Sequence, residues 1–176
     1  MIERGNFLVD FEVQEINYKE QEEKALQILS KIVESINREA EIRVTSSNQE
    51  YTIFEIVNTD PAIIIGKHGH TLDAIQYLVN LIVNKESRQE KRRIYIVDID
   101  GYRKRREESL QRYAREKAEI AKRKGVSIAL YFMNSIERRL VHMALKEDGE
   151  VTTYSEGREP YRRIIINPSP TEEKED

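Results

Sequence analysis

Hydrophobic and polar positions divide this chain into segments of two periods. Over residues 20–36, Ala25, Leu26, Ile28, Leu29, Ile32, Val33 and Ile36 recur at spacings of three and four, which predicts a helix burying one stripe. Residues 41–45 set Ile42 and Val44 among charged neighbours, and residues 51–57 are rich in β-branched and aromatic side chains. Ser46-Ser47-Asn48-Gln49 supplies turn chemistry between them, so the two runs are expected to pair as a hairpin. Asp60-Pro61 can cap and open a short helix running to residue 65. Leu72, Ile75, Leu78, Val79 and Ile82 predict the buried face of a further helix, and residues 92–99 read as a third strand. Ahead of all these, Phe7, Val9, Phe11 and Val13 alternate with Leu8, Asp10, Glu12 and Gln14, the pattern of a single strand. A lone strand cannot satisfy its own edges, so it is expected to pair, with a homodimer through this segment slightly favoured over docking on the chain's own sheet.

The second half repeats the alternation of types. Residues 101–124 are densely charged, with Leu110, Tyr113, Ala114, Ala118 and Ala121 at helical spacing, and Gly125 stands where a left-handed residue ends a helix. Residues 126–130 read as a short strand. Asn134, with Glu137 three positions on, predicts a capping box, and Ile136, Leu140, Val141, Ala144 and Leu145 give the apolar stripe of the helix it opens. Residues 151–154 and 162–166 read as two strands joined by Ser155-Glu156-Gly157-Arg158-Glu159-Pro160. The expected class is α+β, in four parts: an N-terminal strand or leader over 1–18, a domain over 19–100, a connecting helix with a second domain over 101–168, and an acidic, disordered tail over 169–176.

The most informative chemistry is Ile65-Gly66-Lys67-His68-Gly69-His70-Thr71. Two glycines bracket Lys67 and His68, and the run opens straight into a helix. Without a Cβ the backbone can approach a phosphate closely, and a helix start offers free N–H donors and the positive end of a dipole. A Walker-type loop would need Lys and Ser/Thr after its last glycine, whereas His70 follows Gly69 here, so nucleotide hydrolysis is unsupported. The competing bland reading is a tight turn in which glycine serves geometry alone.

The flanking order decides between them. Helix, strand, strand, short helix, G-x-x-G, helix and strand over residues 19–99 resembles the type II KH domain, whose glycine loop clamps the backbone of about four nucleotides. The resemblance implies that Gly66, Lys67, His68 and Gly69 hold the backbone while bases rest in an apolar groove beside Ile63 and Ile65. His68 departs from the doubly basic loop of many KH domains.

In the second half, Arg138 and His142 are four apart and so share a helical face. Arg can fork onto a phosphate or stack on a base, and a neighbouring His can stack or add one hydrogen bond. Set within residues 131–145 and followed by Thr153-Tyr154-Ser155-Glu156-Gly157, the pair resembles the R-three-H single-strand-binding domain over residues 105–168. That resemblance makes Arg138 and His142 its motif pair and Ser155, Glu156 and Gly157 its following loop. KH followed by R-three-H is similar to the bacterial Jag family, also called KhpB or SpoIIIJ-associated. Family membership implies a cytoplasmic RNA-binding protein and RNA chaperone that acts with a small KH protein, KhpA, in cell shape, cell-wall homeostasis and, in spore formers, sporulation. The compact N-terminal domain of that family is not recognisable; residues 1–18 are expected to be its last piece or a leader.

Composition narrows the rest. The 176 residues allow one or two small domains, 39% apolar and 35% charged. There is no cysteine, hence no disulfide and no thiol nucleophile. A net charge of −3 argues against phosphate binding, but residues 1–60 hold thirteen acids against six bases while residues 101–140 hold twelve bases against five acids. Of the three histidines, His68 and His70 lack a third ligand nearby, so no metal is expected. Asp98 and Asp100 read as strand-end turn residues rather than metal ligands. The sequence thus points to sequence-tolerant binding of single-stranded RNA, with single-stranded DNA a further ligand, and to no catalysis and no cofactor. The rival reading is a protein-interaction adaptor of a cell-envelope complex.

Overall fold

The computed structural model describes residues 4–86 and 92–169, with side chains over 18–85 and 92–169. Apart from Ser169, the acidic tail lies outside the described residues. The chain divides into two units, Met1–Tyr102 and Arg103–Asp176.

In the first unit a long helix α1 (Arg4–Ile36) precedes a hairpin of β1 (Glu41–Ser47) and β2 (Tyr51–Val57). A short helix α2 (Pro61–Ile65), a single 3-10 turn (Lys67–Gly69), helix α3 (His70–Glu86) and strand β3 (Ile94–Ile99) follow. The sheet runs β1-β2-β3, the first pair antiparallel and the second parallel. A parallel neighbour needs a long crossover, and α2, the glycine turn and α3 supply it. The hairpin turns on Asn48, whose Oδ1 accepts from the backbone N–H groups of Glu50 and Tyr51 at 2.8 and 2.9 Å. The core joins Ala25, Leu29 and Val33 of α1 to Phe54, Ile56, Leu72, Val79, Tyr95 and Val97.

Two expectations fail in this unit. Residues 4–18 continue α1 and do not form a strand, so the dimer expected through that strand loses its basis. Over so short a window period 2 and period 3.6 both fit, since Phe7–Phe11 and Val9–Val13 are also four apart. The adjoining run rich in Glu, Gln and Lys favours the helix, which extends an already formed one without a new nucleus. On α3, Leu72, Ile75, Val79 and Val83 are buried, whereas Leu78 and Ile82 are exposed beside Tyr77 and Leu81. The apolar stripe of α3 is wider than the core behind it, so half of it faces outward.

Buried polar groups tie α1 to the sheet. Arg93 is almost wholly buried; its Nη1 donates to the Tyr18 carbonyl at 2.8 Å and its Nη2 to Ser47 Oγ at 2.7 Å. Glu22 Oε2 sits 3.4 Å from the same guanidinium and accepts from Ser47 and, at 3.0 Å, from Thr52. One arginine thus fixes a helix, the hairpin turn and the start of β3.

The second unit comprises α4 (Tyr102–Lys124), whose first residue belongs to the first unit, β4 (Ile128–Phe132), α5 (Ser135–Ala144), β5 (Val151–Glu156) and β6 (Arg163–Pro168). Its sheet is antiparallel in the order β4-β6-β5. Leu110, Ala114, Ala118 and Ala121 of α4, Val141 and Leu145 of α5, and Leu130, Ile164 and Ile166 of the sheet make one core. The strand expected over 126–130 forms two residues later, because Val126 and Ser127 complete the turn after Gly125. Ile136, assigned to the buried stripe of α5, is exposed; Glu137 and Arg138 are buried instead.

Candidate nucleic-acid interface

Residue order alone sets up the glycine turn. Asp60 Oδ1 accepts from the Ala62 N–H at 2.9 Å and Pro61 opens α2, so the helix starts sharply. It ends as sharply: Gly66 lies at φ 66°, and its N–H donates to the Ala62 carbonyl at 3.0 Å. A Cβ on Gly66 would lie 2.1 Å from Thr71 Oγ1, and one on Gly69, at φ 86°, would lie 2.9 Å from the Tyr102 hydroxyl oxygen. Both glycines are therefore required by sterics as well as by backbone conformation. Between them His68 is itself left-handed, at φ 56° and ψ 24°.

This geometry puts the two variable residues at the tip. Lys67 is exposed and His68 half-buried, with the His68 and His70 rings edge to face at 6.5 Å. Behind the tip, α3 points its N-terminal N–H groups and positive dipole end toward the turn, an arrangement suited to an anion. Ile63 is exposed, Ile65 partly so, and Ile64 wholly buried, so α2 offers an apolar ledge next to the charged turn. The structure thus brings Ile63, Ile65, Gly66, Lys67, His68 and Gly69 onto one continuous stretch of the first unit.

Arg138, His142, Ser155 and Gly157 come together in the second unit. Asn134 and Glu137 form the expected capping box, with Asn134 Oδ1 accepting from the Glu137 N–H at 2.9 Å and Glu137 Oε2 accepting from the Asn134 N–H at 3.3 Å. Arg138, only 7% exposed, donates from Nη1 to the Met133 carbonyl at 2.8 Å and from Nη2 to Glu159 Oε1 at 2.7 Å. Its fork is already occupied, so it cannot grip a phosphate unless Glu159 moves aside. His142 Nδ1 lies 2.7 Å from Thr153 Oγ1, and its Nε2 3.4 Å from Ser155 Oγ. Burial, and then the Arg138 charge, hold His142 below the usual histidine range, so it is neutral at pH 7. Gly157, at φ 92°, keeps the chain clear of the Tyr161 carbonyl, which a Cβ would meet at 3.0 Å.

Several residues outside the motif reading do this work. Glu159 and Thr153 are the partners of Arg138 and His142, and both lie in stretches whose spacing does not mark them as partners. Arg106, one of the twelve bases of residues 101–140, donates from Nε to Glu137 Oε1 at 2.8 Å and lies over the Tyr131 ring. Glu137 thus serves the cap and neutralises Arg106 together. Among the described residues no group of three His, Cys, Asp or Glu could hold a metal ion. No described helix is long and apolar enough to cross a membrane.

Comparison with known proteins agrees with both halves. Residues 22–96 match the family model described as KhpA/KhpB, KH domain, and residues 108–168 match that of the R-three-H domain. The RNA-binding protein KhpB of Clostridium symbiosum is 39% identical over 83% of this chain and 65% of its own length. The proteins of the same name from Lactiplantibacillus plantarum and Bacillus subtilis are 33% and 31% identical, over 77% and 79% of this chain. The chain spans 65% of the first of these relatives, 41% of the second and 66% of the third. A KH domain followed by an R-three-H domain, in that order and with these relatives, places the chain in the KhpB, or Jag, family.

Proposed function

We propose that this chain binds single-stranded RNA, tolerant of sequence and without catalysis, and that single-stranded DNA is a weaker ligand of the same chemistry. The Gly66–Gly69 turn carries the proposal. It combines two sterically required glycines, an exposed lysine at the tip and the start of α3 behind it. A phosphate sits against these donors while the neighbouring base rests on Ile63 and Ile65. Arg138 and His142 act with Ser155 and Gly157 as a second contact, in which the strand's phosphate takes the place of Glu159 on Arg138. The name of these relatives, RNA-binding protein KhpB, supports the same ligand.

The family resemblance extends the proposal to a cytoplasmic RNA chaperone that acts with a small KH protein of the KhpA type. Its roles would lie in cell shape, cell-wall homeostasis and, in a spore former, sporulation. The outward face of α3, with Tyr77 65% exposed beside Leu78, Leu81 and Ile82, supports a protein contact of that kind. The same face favours the adaptor reading as the alternative.

Ionic strength separates the two. Binding of a labelled oligouridylate to the chain should weaken steeply with salt, log affinity falling by about 0.7 per phosphate neutralised for each unit of log salt. Absence of binding even at low salt, with a protein partner captured independently of salt, would favour the adaptor.

A further inference from the structure

The sheet of the second unit has one face without a covering element among the described residues of that unit. The helices α4 and α5 share a core with Leu130, Ile164 and Ile166, and His142 of α5 meets Thr153 and Ser155. Alternation along the strands sends the intervening residues to the opposite face. Directly paired residues share a face, so Tyr154 stands beside Ile165, and Glu156, Arg163 and Phe132 form one row across all three strands. Tyr161, two residues before Arg163, completes the set, its ring edge to face with Phe132 at 5.4 Å. Phe132, Tyr154 and Tyr161 are 45%, 46% and 66% exposed.

Exposed rings of this number on one small sheet are costly in water unless something covers them. Their chemistry and the nearby charge select the occupant. Ring faces accept any base by stacking, whichever the sequence. Both acids of the segment 156–163 are engaged, Glu156 with Arg163 at 3.0 Å and Glu159 with Arg138. Among the described residues, Arg158, in the loop that carries Tyr161, is exposed and has no side-chain hydrogen bond or ion pair. Residues 103–169 carry sixteen bases against ten acids. A face of aromatic rings with this guanidinium group in the adjoining loop complements a polyanion with unpaired bases better than it complements a second copy of itself.

We propose that this open sheet face is a base-stacking platform for single-stranded nucleic acid, on the side of the sheet opposite the Arg138–His142 motif. Phe132, Tyr154 and Tyr161 take two or three successive bases, while Arg158 in the adjoining loop meets a phosphate between them. Neighbouring strands are about 4.8 Å apart, so rings on β5 and β4 stand about 10 Å apart and serve bases splayed from one another. The proposal rests on single-strand binding as the chain's function and names a site that its sequence motifs do not mark.

The chain has no tryptophan, so Phe132→Trp installs a single reporter on this face. A labelled oligouridylate and an abasic strand of equal length are titrated into the full chain, with label anisotropy and tryptophan emission followed together. The base-bearing strand should bind and quench the tryptophan, and the abasic strand should leave its emission unchanged. Tyr154→Leu with Tyr161→Leu, which keeps apolar area and removes the ring faces, should weaken binding about tenfold with an unchanged circular dichroism spectrum. Binding by anisotropy without any change in emission, or full affinity in the double leucine variant, would overturn the platform and leave RNA binding standing. A concentration-dependent emission shift without RNA would assign the face to a second copy instead. No binding in either channel at low salt would overturn the functional proposal and the platform with it.

Discussion

Arg138 Nη2 lies 2.7 Å from Glu159 Oε1, an arginine buried on α5 joined to a carboxylate on the loop between β5 and β6. The motif arginine is therefore held by an acid of its own chain. Glu159 is itself largely exposed, so an incoming phosphate can exchange with it, one anion for another.

Glu159→Gln should accordingly raise RNA affinity several-fold, because it removes the competing charge and keeps the shape. Stability should change by no more than about 1 kcal/mol, as the acid is solvated. Binding isotherms over a salt series and a urea titration check the two parts. Unchanged affinity would mean that Arg138 only shapes the loop.

His142 predicts a pH dependence. Its folded pKa lies below the unfolded value of 6.5, held there chiefly by burial and then by the Arg138 charge. Between those two values the unfolded state binds more protons, so stability rises with pH through the window and falls as the medium is acidified below about 6.5. The groups facing the ring are Arg138, Thr153 and Ser155, of which only Arg138 is charged. Melting temperatures from pH 7 to 5 should fall less steeply in His142→Asn than in the unmodified chain. Equal slopes would remove His142 as the cause.

Replacing Gly66 with alanine forces a Cβ against Thr71 in a left-handed conformation. The expected loss is about 1–3 kcal/mol, from strain alone, with RNA binding reduced in parallel. Urea denaturation of the variant measures it. A neutral outcome would show that the turn can relax and that the glycine is not required.

Arg93→Ala should be the most damaging single change in the first unit. It would leave Glu22, the Tyr18 carbonyl and Ser47 without their shared donor inside the protein. A loss of about 3 kcal/mol or more is expected, since one partner of a buried pair is removed, and the same urea titration reads it.

Local chemistry is legible in the sequence where it is self-contained. Asp60-Pro61, Gly66, Gly69 and the Asn134–Glu137 box each specify their conformation within a few residues, and each forms as read. What depends on distant partners is not legible. The outward turn of Leu78 and Ile82 follows from where α1 and the sheet lie, which periodicity on α3 alone does not encode. Arg138 reads as a free fork because its acid lies twenty-one residues further on, in a loop whose path only the fold supplies. The aromatic row of Phe132, Tyr154 and Tyr161 emerges from strand register, and the two-residue displacement of β4 hides Phe132 from a sequence reading. Residues 4–18 fail for the opposite reason: two periods fit one short window, and the neighbouring helix decides between them.

The central claim is that the glycine turn holds the RNA backbone, and charge reversal at its tip tests it most directly. Lys67 is exposed and His68 half-buried at the tip, and neither belongs to the core, so Lys67→Asp with His68→Asp should leave the circular dichroism spectrum and melting temperature nearly unchanged. Affinity for a labelled single-stranded RNA, measured at low salt, should fall by more than about tenfold, or roughly 1.4 kcal/mol, as repulsion replaces attraction. Unchanged affinity in a folded double variant would contradict the account.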